Sequence, residues 1–86
     1  MKNPYKEALM KIIKKYLKKT RKDVFRLSQD EMSEKLLVSC RSYIEIEHGN
    51  SLCNSLFLII FLIYYCPDPM GLLEDTKRAF DDLNKK

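Results

Sequence analysis

Glycine is nearly absent from this chain, with two in 86 residues. Phosphate-cradling loops such as the P-loop and the dinucleotide fingerprint need several glycines at fixed spacing, so neither exists here. No Asn-Gly or Asp-Gly pair occurs, which removes the strongest signal for a two-residue β-hairpin. Histidine is limited to His48. Its predicted place at a helix C-terminus suits a cation near the helix dipole and implies no nucleophile or metal partner. The three cysteines, Cys40, Cys53 and Cys66, lie thirteen residues apart, without a C-x-x-C pair or a histidine pair downstream. That spacing excludes a zinc site, and an odd count points to a reducing compartment in which cysteines serve as small apolar filler. No catalytic residue, cofactor or metal is expected, and the chain is not expected to be an enzyme. Carboxylate pairs such as Glu45 with Glu47 and Asp81 with Asp82 are read as ordinary surface charges.

Long apolar runs are lacking too. Leu56 to Tyr65 is apolar throughout, but its ten residues fall well short of a bilayer span, which takes about 20. The basic N-terminus has neither the apolar run nor the cleavage site of a secretory signal, so a cytoplasmic location is expected.

What is present is a mixture of 45% hydrophobic and 33% charged residues, the balance of an ordered globular chain and not of a disordered tail. The length suits one domain with a real but marginal core, which a permanent dimer would help. Abundant Lys, Glu and Leu favour helices throughout, so the expected class is all-α.

The stretch from Leu27 to Gly49 reads as two short helices joined by a tight turn. Ser28 is a preferred N-cap and Glu31, three residues on, completes an S-x-x-E capping box. Met32 and Leu36 share one face, Leu37 and Val38 close the turn, and Ser39 offers a second N-cap. Tyr43 and Ile46 form the inner face of the second helix, and Gly49 stands where a left-handed residue would end it. Helices this short do not persist alone, so a common core must hold the pair.

At these residues the chain resembles the lambda-repressor-like (Xre-type) helix-turn-helix regulators. Their pattern of Leu-Ser-Gln, an acidic pair, Glu-Lys-Leu-Gly-Val-Ser and a helix ending near Ile-Glu-x-Gly is matched by Leu27 to Glu31, Glu34 to Ser39 and Ile46 to Gly49. Leu37 departs from it, occupying the position where the family usually has glycine. A left-handed Leu37 would cost roughly 1 kcal/mol or more.

Three further helix signals surround that block. Asn3 with Pro4 starts a long amphipathic helix, 4–21, with Tyr5, Leu9, Ile12 and Tyr16 along one face and Ala8, Ile13 and Leu17 beside it. The segment 22–27 is expected to be a loop whose Val24 and Phe25 fold back onto the core. Asn54 or Ser55 caps an apolar helix, 54–66. By periodicity alone the run could be a buried strand, but an unpaired strand would leave its backbone unsatisfied, and as a helix its all-round hydrophobicity requires cover on more than one side. Asp68 with Pro69 starts the last helix, 69–84, with Met70, Leu72, Leu73, Phe80 and Leu83 on its apolar side. Cover for the fourth helix is expected from the fifth, from a second copy of the chain, or from both in a two-fold interface to which Tyr64 and Tyr65 are suited.

Charge is unevenly shared. Residues 2–26 hold ten basic and two acidic side chains, whereas residues 27–66 hold two basic and five acidic ones. The lysines of the first helix form a solvated face, a phosphate-contacting surface or, least compatibly with a helix that faces a core, a membrane-surface contact.

The resemblance implies double-stranded DNA as partner, with the helix starting at Ser39 in the major groove and the protein acting as a homodimer through the fourth and fifth helices. By position in the motif, Gln29, Cys40, Arg41 and Glu45 would contact bases. Arg41 suits guanine O6 and N7, Gln29 suits adenine, and Glu45 suits cytosine N4. Ser28, Ser39, Ser42 and Asn50 would contact phosphates. The alternative on the same fold is an antitoxin-like or other protein-interaction module that uses the apolar fourth helix as its binding surface.

Overall fold

Side chains that bond the backbone within three residues set where each helix begins. In the computed structural model, which describes residues 3–85, Asn3 Oδ1 accepts from the amides of Tyr5 (3.0 Å) and Lys6 (3.3 Å), and Pro4 takes the first helical position. Helix α1 then runs Pro4–Lys19. Lys2, counted above among the basic residues, lies outside the described residues. The Ser28–Glu31 capping box forms in full, with both bonds at 3.1 Å, and starts α2, Gln29–Lys35. Ser39 accepts from the Ser42 amide (3.1 Å) and starts α3, Cys40–Glu47. Asn54 accepts from the Phe57 amide (2.8 Å) to start α4, Ser55–Ile60, and Asp68 with Pro69 starts α5, Pro69–Asn84. No strand occurs among the described residues, and the class is all-α.

Helix ends are set by backbone handedness. Leu37 is left-handed (φ 60°), and around it the Val38 amide bonds the Ser33 carbonyl (3.1 Å) while the Leu37 amide bonds that of Glu34 (3.2 Å). These are the paired bonds of a Schellman motif. Gly49 (φ 80°) ends α3 in the same way, with Asn50 bonded to Glu45 (2.9 Å) and Gly49 to Ile46 (3.1 Å). Leu37 therefore adopts the conformation that glycine would take without strain.

Two segments differ from the sequence expectation. The first helix does not give way to a loop at Lys22 but continues as a π turn, Thr20–Phe25, closed by a left-handed Arg26 (φ 54°). The Arg21 carbonyl there accepts from both Arg26 and Leu27, the latter at 3.0 Å. The wider turn shifts the helical phase off the Ile13–Leu17 stripe, so Val24 and Phe25 stay exposed instead of folding onto the core. Phe25 instead meets the edge of Tyr65, 5.8 Å between centroids. The fourth helix likewise passes into a π turn, Phe61–Tyr65.

One core joins all five helices: Ile13 and Leu17 from α1, Met32 and Leu36 from α2, Tyr43 and Ile46 from α3, Phe57 with Phe61 from α4 and its π turn, and Leu72 from α5. Helix α1 runs through the middle, packed against α3 and α5. Tyr5 and Phe80 stack edge to face at 5.1 Å, Tyr5 bonds Asn84, and Tyr16 Oη donates to Asp75 Oδ2 at 2.7 Å, a bond that pushes the tyrosine pKa up to about 12. Because α5 is committed to α1, it leaves the outer face of α4 uncovered. Leu56, Ile59, Ile63 (66% exposed) and Tyr64 (72%) stay open, so the expected cover from α5 is not supplied within the chain. No described helix is long and apolar enough to cross a membrane. All three cysteines are free and half-buried, and burial pushes the Cys53 thiol up to about 11.

Leu37→Gly should remove the left-handed penalty together with a side chain that is 71% exposed. Set against glycine's greater freedom in the unfolded chain, the net gain expected is up to about 1 kcal/mol. A thermal midpoint that rises by a few degrees supports this, and one that falls contradicts it.

Candidate nucleic-acid interface

Helical phase turns the start of α3 outward. Tyr43 and Ile46 are buried, while Arg41 and Ser42 are exposed and Glu45 is half-buried. Arg41, Ser42 and Glu45 share one shallow groove with Ser51, Leu52 and Asn54 of the connection to α4. Asn50 is exposed at the other end of α3. The Ser39 and Ser42 hydroxyls bond each other at 3.0 Å, so the two expected phosphate contacts form one hydroxyl pair beside the free amides of the helix start. Cys40 is half-buried, and burial first, then neighbouring Asp30, push its thiol up. Ser28 is exposed, but its amide already donates to the Glu31 carboxylate, so an anion approaching the start of α2 meets a negative group there.

The residues that sequence reasoning missed lie beneath this surface. Arg21, counted only as part of a basic face, and Glu47, taken as a surface charge, form a buried ion pair whose side chains are 11% and 2% exposed. Its geometry is bidentate: Nε to Oε2 at 2.9 Å and Nη2 to Oε1 at 2.8 Å. Arg21 Nη1 also donates to the Leu27 carbonyl (3.0 Å), and Gln29 Nε2 donates to Glu47 Oε1 (3.3 Å). The end of α1, the entry to α2 and the end of α3 are thus tied at one point. Half-buried Gln29 is anchored by one N–H, and its carbonyl oxygen and second N–H make no further hydrogen bond among the described residues. A signal was present: Arg21 follows Leu17 by four residues and Glu47 follows Tyr43 by four, so each extends a buried stripe.

Burial by itself raises the Glu47 carboxyl, but the hydrogen bonds and charge of Arg21, together with the neighbouring Tyr43 hydroxyl and Gln29 amide, outweigh it and hold the group below the usual carboxylate range. Beside the pair, the Tyr43 hydroxyl is buried close to Glu47 but without a hydrogen bond of good geometry, and burial first, then the Glu47 carboxylate, push its pKa up.

Around this anchor the charge is divided. From Leu27 to Cys66 the only cations are Lys35 and Arg41, against five carboxylates of which Glu47 is neutralised by Arg21. Among the described residues no cluster of three or more His, Cys, Asp or Glu side chains is arranged to hold a metal ion. In comparison with known proteins, the chain matches no protein-family model, no curated protein and no solved structure.

Removing one partner of a buried pair strands the other. Glu47→Ala is expected to destabilise the fold by about 3–5 kcal/mol, and adding Arg21→Met should recover most of that loss. Because the folded pKa of Glu47 is depressed, its contribution is complete above the unfolded carboxylate value of about 4.3 and fades as pH falls through the lower folded value. Urea midpoints measured on acidification should therefore drop below that pH more steeply in the parent than in the double variant. Equal pH profiles would contradict the assignment.

Proposed function

We propose that this chain is a sequence-specific, double-stranded-DNA-binding transcriptional regulator of the lambda-repressor-like, Xre-type helix-turn-helix kind, acting as a homodimer. The observation that carries the proposal is the α2–turn–α3 unit. Two short capped helices are joined through a Schellman turn, their inner faces share one core, and the first turns of α3 present Arg41, Ser42 and Glu45 to solvent. In such a unit the second helix enters the major groove by its N-terminal end and the start of the first approaches the backbone.

Roles follow from reach and donor chemistry. Arg41 offers a bidentate donor pair to guanine, Glu45 an acceptor to cytosine, and Gln29 its remaining amide groups to adenine or to a phosphate. Cys40 lies at the first turn of α3, where its thiol makes an apolar contact with a base edge. The Ser39–Ser42 hydroxyl pair and Asn50 bond phosphate oxygens, and Ser28, whose amide is taken by Glu31, offers a phosphate only its hydroxyl proton. Arg41→Ala is expected to remove about 1–3 kcal/mol of operator affinity and to relax preference at one base pair. Fluorescence anisotropy on the upstream region of the protein's own gene measures it, and equal affinity of parent and variant for that duplex would count against the base-reading role.

The homodimer rests on the uncovered face of α4, with Leu56, Ile59 and Ile63 in line at helical spacing, and on exposed Met70 and Leu73 of α5. Sedimentation at micromolar concentration should show a dimer in the parent and a folded monomer in Ile59→Lys/Ile63→Lys. That same apolar face favours a second reading, a protein-interaction module of antitoxin-like type. A parent that sediments as a strict monomer would exclude the dimer and leave this reading ahead.

A further inference from the structure

Six lysines, at positions 11, 14, 15, 18, 19 and 22, are exposed together on the outer side of α1 and its π turn, and line one open groove with a single carboxylate, Asp23, at its end. Between Ala8 and Lys22 the chain contains no acidic residue. Among the described residues none of the six has a carboxylate within salt-bridge distance, whereas Arg21, on the flank of the same helix, is paired. A face that is merely solvated is laced with opposite charges three and four residues apart, which stabilise a helix. This one meets opposite charges at those spacings only at its two ends (Glu7 with Lys11, Lys19 with Asp23) and places like charges between them (11 with 15, 14 with 18, 15 with 19, 18 with 22), each of which destabilises it. An arrangement that works against its own helix is one that an external polyanion relieves.

We infer that the lysine face of α1 is a sequence-independent docking surface for the phosphodiester backbone of duplex DNA, separate from the base-reading end of α3. The inference deepens the DNA reading above and rests on it. The row from Lys11 to Lys22 extends about 16 Å at the helical rise, the length over which one DNA strand presents roughly five phosphates. It also adjoins the reading unit. The Lys14 side chain lies against the end of α3, so close that a Cβ at Gly49 would sit 3.2 Å from its Cδ. A membrane fits less well, because the apolar face of α1, including Ile13 and Leu17, is buried in the core and cannot insert. A protein partner fits less well too, since interfaces are depleted in lysine and built around an apolar centre that this face lacks.

The test uses a random-sequence duplex of about two helical turns, with log affinity followed against log salt by anisotropy. Lys11→Gln/Lys15→Gln/Lys18→Gln/Lys22→Gln should lower the magnitude of the salt slope by about 3 to 4, at roughly 0.9 per phosphate contact. Its thermal midpoint should equal or exceed that of the parent, and the corresponding four-fold Lys→Arg variant should keep the parent slope. Arg41→Ala, measured in parallel, should keep most of that slope. A parent that binds every duplex sequence equally, with the lysine effect intact, overturns the regulator reading and leaves this surface standing. An unchanged slope in the Gln variant overturns the surface. So does tighter binding of phosphatidylserine vesicles, polyglutamate or duplex RNA than of duplex DNA.

Discussion

The bidentate Arg21–Glu47 pair is the interaction on which the rest of this small domain turns. It joins residues 26 apart in sequence, and its remaining donors and acceptors reach Leu27 and Gln29. Such a pair adds little net stability, because desolvating two charges offsets most of their attraction. Its consequence is geometric. A guanidinium that makes three hydrogen bonds to two fixed partners admits one arrangement of the ends of α1 and α3 and the start of α2, and a slip of either helix would strand a buried charge. The π turn belongs to the same design, since it carries the chain past Arg21 to Leu27 while leaving the guanidinium aimed at Glu47.

Around that anchor the surface divides into three faces of different chemistry. The start of α3 is polar and close to neutral, the outside of α1 is strongly basic, and the outside of α4 is apolar. Helix α1 is the element they share, buried along one side by Ile13 and Leu17, held to α5 by Tyr5 and Tyr16, and held to α3 by Arg21. The proposed functions follow the same partition: base reading at α3, backbone attraction at α1 and self-association at α4. Each face can therefore be altered by substitutions that leave the other two and the core untouched.

What was legible in the sequence was local. Asn3 with Pro4, Ser28 with Glu31, Ser39, Asn54, and Asp68 with Pro69 all act within three residues, so their types and spacing suffice to start five helices at the right places. Tyr43 and Ile46 are buried and Arg41 exposed as their phase requires. Features that depend on distant partners were not legible. The two π turns have no capping side chain to mark them. The docking of α5 on α1 is decided by aromatic and hydrogen-bonded contacts such as Tyr16 with Asp75, 59 residues apart. The Arg21–Glu47 pair was hidden because a charged residue on an apolar stripe looks like an edge position until its opposite charge arrives from another helix. The anchoring of Gln29, which changes what that side chain has left to offer a base, was hidden for the same reason.

The central claim is that the α2–α3 unit reads DNA sequence. Repeated selection of the full chain on a pool of randomised duplexes, followed by sequencing of the bound fraction, tests it most directly. The account predicts an enriched motif with two-fold symmetry whose half-sites lie about one helical turn, roughly 34 Å, apart. A bound fraction indistinguishable in sequence from the starting pool at every salt concentration would contradict it.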